Sequence, residues 1–327
     1  MILRMSAVSR YTVPNLNSMD AVDDLIAMSR NWQPGDAVVL DMSRVRTTWP
    51  NTTVTFAATL DYLRRERDLK FVPDRMHPNQ TVTRLVDTGR ISTLGKYDHP
   101  TNIVWEYRDE AEAHRIAGHF MKSLTDLVEC QSGVIDTLNW CVFEVLDNVF
   151  QHSRASSGFV MMQVHTANRL AVIAVTDTGR GIHRSMADAA EGSSVDRARV
   201  ARADTAIQHA LEQGVTSKGK MNQGNGLHGL RRAVAINGGQ LGVRSGRGSW
   251  NYRDGAESTR LDLVRPLLDA NTSHSTTVDW RLNCATPVSI NEAPGRAERQ
   301  SSILDEIEVA TDGYFKIDAA ELENVVG

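Results

Sequence analysis

Three short motifs in this chain carry residue types that could do chemistry, and they come in a fixed order. The first is Glu144-x-x-x-Asn148-x-x-x-His152. Spacings of four stack the three side chains along one side of a helix. An amide oxygen such as that of Asn148 is a hard ligand suited to Mg2+, which keeps several waters and takes few protein ligands. Glu144, one turn away, has the chemistry to orient or deprotonate a water that attacks a phosphate. The second motif is Asp177-x-Gly179-x-Gly181. Its carboxylate can accept from an exocyclic amine, and its glycines let the backbone approach a flat ring. The third is Gly224-x-Gly226-x-x-Gly229. Glycines at a helix start leave backbone N–H groups open to an anion.

Each motif alone has an ordinary reading as well. The first fits a solvated helix face, the second a strand-to-loop turn. The third also matches a dinucleotide fingerprint, but no apolar strand precedes it, as that fold requires.

The elements that must position these residues are legible in outline. Leu138, Val142, Val145 and Val149 form an apolar stripe, predicting a helix over about Ser132 to His152. Phe159 to Val164 and Leu170 to Thr176 read as a strand hairpin across Ala167-Asn168, which delivers Asp177 at the end of a strand. The stretch from Gly181 to Gln223 is poor in large apolar residues, with a helical patch at Ala203 to Leu211. It reads as a lid more than a core element. A helix over Leu227 to Ile236 follows, then strands at Gln240 to Ser245, Thr259 to Val264 and Thr276 to Leu282. Upstream, Ala37 to Asp41, Leu69 to Val72 and Asn102 to Tyr107 read as strands. Helices are predicted from Asn51, over Thr81 to Val86, and over Glu110 to Leu127.

At 327 residues the length suggests about two domains. A hydrophobic fraction of 41% with 23% charged residues is ordinary for a globular chain. The net charge of −4 and a pI near 6.2 give no footing for a broad nucleic-acid surface. Cys130, Cys141 and Cys284 are an odd count without C-x-x-C spacing, which suits a reduced interior better than a disulfide frame or zinc site. No apolar run reaches the ~18 residues of a membrane span, and Met1 to Val13 lacks the apolar core of a secretory signal. The expected location is cytoplasmic.

Taken together, the order, spacing and placement of the motifs resemble the GHKL ATPase superfamily, whose members include gyrase-type topoisomerases, large heat-shock chaperones, histidine kinases and mismatch-repair ATPases. The three motifs look like its N, G1 and G2 boxes. The resemblance runs over roughly residues 101–282. It implies a Bergerat-type two-layer α/β sandwich with a mixed sheet and a site for ATP with Mg2+. Glu144 would be the catalytic base, Asn148 the metal ligand and Asp177 the reader of the adenine amino group. Gly179, Gly181, Gly224, Gly226 and Gly229 would line the nucleotide, and the segment between Gly181 and Gly224 would be the ATP lid. The family also places a hydroxyl on a late strand bonded to the adenine-reading acid, and Thr276 is the candidate. Lys218 or Lys220 is within the lid and could reach a phosphate, or be simply solvated.

No histidine has the context of a histidine-kinase phosphoacceptor. His114 and His119 lie on a suitable helix but lack the following acid. The pattern is closer to the anti-sigma-factor serine kinases, and Val38-Val39-Leu40-Asp41-Met42-Ser43 is similar to the start of a STAS domain. The phosphorylatable serine of STAS antagonists has no counterpart here beyond Thr52 or Thr53. The expected organisation is a STAS-like α/β domain over 1–100, an ATP-binding domain over 101–290 and a polar C-terminal tail over 291–327. The expected activity is ATP hydrolysis or phosphotransfer to a protein Ser/Thr in a regulatory system. The competing expectation is an ATP-gated switch that binds a partner with little turnover. A regulatory protein partner is implied by both, and members of the superfamily often form homodimers.

Overall fold

A computed structural model of the chain describes residues 8–74, 82, 85–189, 191–217, 226–262 and 275–288. Half of the predicted helix over Thr81 to Val86 falls outside these residues, and the tail over 291–327 falls wholly outside them. The class is mixed α/β, as expected.

The N-terminal part alternates strand and helix: β1 (Val8–Thr12), α1 (Asp20–Ser29), β2 (Ala37–Asp41), α2 (Pro50–Glu66) and β3 (Lys70–Pro73). The three strands form a parallel sheet in the order β1-β2-β3. Pro50 starts α2 at a position where its missing N–H costs nothing, and Arg64 and Arg65 close the helix at its negative end. Twelve residues of α2 are buried, on all its sides. A helix with no wet face must satisfy its polar side chains internally. Thr53, Thr55 and Thr59 do so by donating to the carbonyls of Trp49, Asn51 and Thr55, four residues back.

The second sheet takes in β4 (Gly89–Arg90) and β5 (Trp105–Tyr107). Helices α3 (Glu110–Leu127) and α4 (Val134–Asn148) follow, then β6 (Gly158–His165) and β7 (Leu170–Asp177). After these come α5 (Gly181–Ala187), α6 (Ala203–Ala210), α7 (Gly226–Asn237), β8 (Gln240–Ser245), β9 (Gly248–Arg253), β10 (Ala256–Leu261) and β11 (Thr276–Asn283). The eight strands are ordered β10-β9-β8-β11-β7-β6-β5-β4. All neighbours are antiparallel except β4 and β5. Asp109 caps α3 by accepting from Glu112 N–H at 2.7 Å, while the Glu112 carboxylate accepts from Arg108 N–H at 2.8 Å.

Strand alternation divides the core. On β6 and β7, Val160, Met162, Ile173 and Val175 face one way, into a cluster with α3, α4 and α7. Phe159, Met161 and Ala174 face the other way, into a cluster with α1, α2 and the small sheet. Helix α2 therefore lies between the two sheets. Its contact with the larger one is edged by polar bonds. Arg244 on β8 donates to both carboxylate oxygens of Asp23 on α1 (2.9 and 2.7 Å), and Asn51 Nδ2 donates to Asp279 on β11 at 3.3 Å.

Several predicted boundaries shift. The long helix over Ser132 to His152 divides: α4 ends at Asn148 and a π-helical turn occupies Val149–Ser153. The strand predicted over Asn102 to Tyr107 shortens to Trp105–Tyr107 because Asn102 turns the chain at φ 59. Of the strand predicted over Thr259 to Val264, Thr259 to Leu261 belong to β10, the second half of a hairpin whose first half, β9, was not anticipated, and residues 263 and 264 lie outside the described residues. Among the described residues no helix is long and apolar enough to cross a membrane.

Candidate functional site

A cavity of about 160 Å³ opens at the C-terminal end of α4. Roughly 150 Å³ is enough to hold one six-membered ring. Glu144, Asn148, Asp177, Gly181, Gly226 and Thr276 all line it. Three separate sequence motifs thus meet around one space. Gly179 lies beside it, and Gly224 lies outside the described residues, as do Lys218 and Lys220.

Asp177 ends β7 at the bottom of the cavity and is 5% exposed. On the face it shares with Val175 it looks toward α4. Among the described residues its carboxylate has one hydrogen bond, from Gly179 N–H at 2.7 Å, a local turn typical of aspartate. Burial pushes its pKa up to about 7, and the Gly179 bond offsets only part of that. The group is under-supplied with donors and faces apolar walls built from Val145, Val149, Val175, Ile182 and Val278.

The glycines of the second motif serve packing. A Cβ on Gly179 would stand 2.2 Å from the Ser153 carbonyl, which already accepts from Arg180 N–H at 2.9 Å. Gly181 sits at φ 76, where a side chain is strained. The π turn brings Ser153 to this contact, with its hydroxyl donating to Val149 O at 2.6 Å. Such turns are frequent at functional sites. In the third motif, a Cβ on Gly226 would lie 2.7 Å from a Glu144 carboxylate oxygen, and one on Gly229 would lie 2.0 Å from the Trp140 ring. The short side of α7 is what lets it close on α4.

The rim is polar. Glu144, Asp147, Asn148, Gln151 and His152 reach it from α4 and the π turn. The Gln151 amide donates to Asp147. His152 Nδ1 pairs with Ser217 Oγ at 3.0 Å, and its carbonyl accepts from Arg180 Nε at 2.8 Å. Because the helix widens after Asn148, His152 is not one more rung of the α-helical row that its spacing implied. The segment after Gly181 forms a wall through Ile182, Ser185, Met186, Val215 and Ser217. It is not purely polar: Met186, Val200 and Ala206 make a small core of their own.

Thr276 stands where expected but bonds differently. It is the strand partner of Asp177, yet its hydroxyl meets Ser245 Oγ at 3.1 Å rather than the carboxylate. Ser245 also accepts from Ile182 N–H at 2.8 Å, so it ties β8, β11 and the turn after Gly181 together. Sequence reading placed Ser245 on the correct strand and gave it no role. Asp147, Gln151 and Trp140 were likewise missed. Thr52 and Thr53 are fully buried in the first turn of α2, which removes them as phosphate acceptors in the folded protein.

No protein-family model matches the chain, and no curated protein matches it either.

Proposed function

We propose that the cavity is an ATP site and that the chain is a Mg2+-dependent ATP-binding protein of the GHKL type. The observation that carries this is the convergence of the three motifs on one apolar slot with a donor-poor carboxylate at its base. A flat ring with an exocyclic amine suits such a slot, because the amine gives Asp177 the donor it lacks. The polar rim is where a triphosphate would emerge, and Asn148 is its metal ligand. Among the described residues no group of three or more His, Cys, Asp or Glu is placed to hold a metal ion. A bound Mg2+ would then take its remaining ligands from water and phosphate, as that ion commonly does.

The mixed sheet with α3, α4 and α7 on one face supports a Bergerat-type sandwich for residues 101–290. The parallel order of β1, β2 and β3 around α1 and α2 supports the broader α/β reading of residues 1–100, in which a STAS-like unit is the proposal.

Glu144 is the proposed base for hydrolysis or for phosphotransfer to a protein Ser/Thr, a role worth ~10²–10⁴ in rate. The second reading, an ATP-gated switch, draws on the wall formed by Ile182, Ser185, Met186, Val215 and Ser217, whose contacts with a nucleotide would change its equilibrium. Steady-state turnover and calorimetric ATP affinity of the unaltered protein and Glu144→Ala separate the two. Turnover that disappears in Glu144→Ala while ATP still binds establishes the enzyme. Label on a protein Ser/Thr establishes the kinase. No turnover in either form, with ATP-dependent partner capture or dimerisation, establishes the switch. Failure of the unaltered protein to bind ATP removes the proposal altogether.

A further inference from the structure

The turn between α3 and α4 lies against the chain that leaves β11. Gln131 N–H donates to Cys284 O at 2.8 Å and Val288 N–H to Ser132 O at 3.1 Å. The approach is close enough that a Cβ on Gly133 would lie 1.8 Å from Val288 O. The first of these bonds makes Cys130 and Cys284 neighbours across the junction. The short path through it limits the separation of their Cα atoms to under about 8 Å, close to the ~4–7 Å a disulfide spans. Cys130 packs against the core cluster that holds Cys284, its thiol donating to Val128 O at 3.6 Å, and the charge of Arg169 acts on both thiols. Arg169 is fixed there, since it donates to Glu129 O and its own carbonyl accepts from Cys284 N–H at 2.7 Å. Access differs between the two sulfurs: Cys130 is half-buried and Cys284 is fully buried.

We propose that Cys130 and Cys284 are an oxidisable dithiol that closes to an intramolecular disulfide on exposure to a small disulfide oxidant such as oxidised glutathione. The more accessible Cys130 reacts first. Its thiolate attacks one oxidant sulfur, the oxidant S–S bond breaks, and one glutathione thiolate leaves and takes up a proton. Cys284 then gives its proton to solvent and attacks the Cys130 sulfur, expelling the second glutathione. Two protein thiols lose two electrons, and one oxidant molecule becomes two thiols. The Arg169 charge favours both thiolates. Burial works against it, pushing Cys130 up and Cys284 up to about 12, so closure is slow at neutral pH and quickens as pH rises. The junction is at the far ends of α4 and β11 from the cavity. The bond would brace two site-bearing elements without touching the site, and the inference does not depend on the nucleotide reading.

The test uses the full chain, incubated with oxidised glutathione at pH 8, quenched with an alkylating reagent and digested for mass spectrometry. The expected product is a linked Cys130–Cys284 peptide pair, reversed by dithiothreitol. Cys141 should be alkylated only after unfolding, and Tm should rise by several degrees. Cys284→Ser should instead accumulate a stable glutathione adduct on Cys130. In Cys130→Ser, Cys284 should stay unmodified in the native state. Three results would overturn the proposal: a persistent glutathione adduct on Cys130 in the unaltered protein, links through Cys141, or no reaction at either cysteine.

Discussion

A carboxylate at the base of an apolar slot either finds donors or gives up its charge. Among the described residues Asp177 has one donor, and with its pKa near 7 it is poised between the two at neutral pH. An amine donor favours the ionised form. ATP affinity should therefore strengthen as pH rises through 7, with proton release on the acid side, and calorimetry at pH 6 and pH 8 in two buffers checks both. Stability should run the other way. The folded state holds the proton more tightly than the unfolded chain does, so stability is lost as pH rises from about 4 to about 7. Asp177→Asn keeps the turn to Gly179 and removes the charge. It is expected to weaken ATP binding by more than ~1 kcal/mol. It should also stabilise the unliganded protein at pH 8, by at most about 4 kcal/mol. Unchanged affinity, or a variant less stable at pH 8, would contradict this account of the residue.

Among the elements, α4 and α7 meet through Gly229 and the Trp140 ring. Gly229→Ala improves helix propensity but places a methyl group inside that ring's space. Overpacking of this kind costs ~1–3 kcal/mol, and urea denaturation should show the loss; a stabilised variant would mean that Trp140 swings aside freely. Much of this architecture was readable from periodicity. Helix α3 coincides with the predicted Glu110 to Leu127, and β6, β7, β8 and β11 fall within a residue or so of their apolar runs. What periodicity missed were short or half-wet elements. Strand β1 buries only Tyr11 fully, and β9 buries one large side chain, Trp250. Helix α1 has just ten residues. The site was legible where side-chain type decides, at Glu144, Asn148 and Asp177. It was obscure where geometry decides. Asp147 lies about 100° round the helix from Asn148, and only the curvature of the cavity brings both to its rim. Ser245 works through strand register, and the changed position of His152 follows from a π turn that no spacing signals.

For the whole molecule, the back of the site strands is bonded to α2. Thr176 donates to Thr276 O at 2.8 Å and lies 2.9 Å from Thr277 Oγ, which is 2.7 Å from Thr55 Oγ. Thr55 spends its own proton on Asn51 O, so Thr277 must donate to Thr55. The Thr277 hydroxyl consequently points from the strand to the helix. Thr55→Val deletes this acceptor and makes Thr277 turn its proton to Thr176 Oγ at 2.9 Å, so the loss is that of one buried hydrogen bond, ~0.5–1.5 kcal/mol. Thr55→Ser restores it. Equal stability of the Val and Ser variants in thermal denaturation would show that the chain of hydroxyls contributes nothing.

Because α2 is wrapped by protein on both sides, the two halves of this chain cannot be shuffled independently. Severing the polypeptide after residue 100 would strip the sheet and leave Phe159, Met161 and Ala174 facing water. A recombinant piece carrying all three motifs should then clump. In descent, the two halves would be inherited together, each constraining the other's drift.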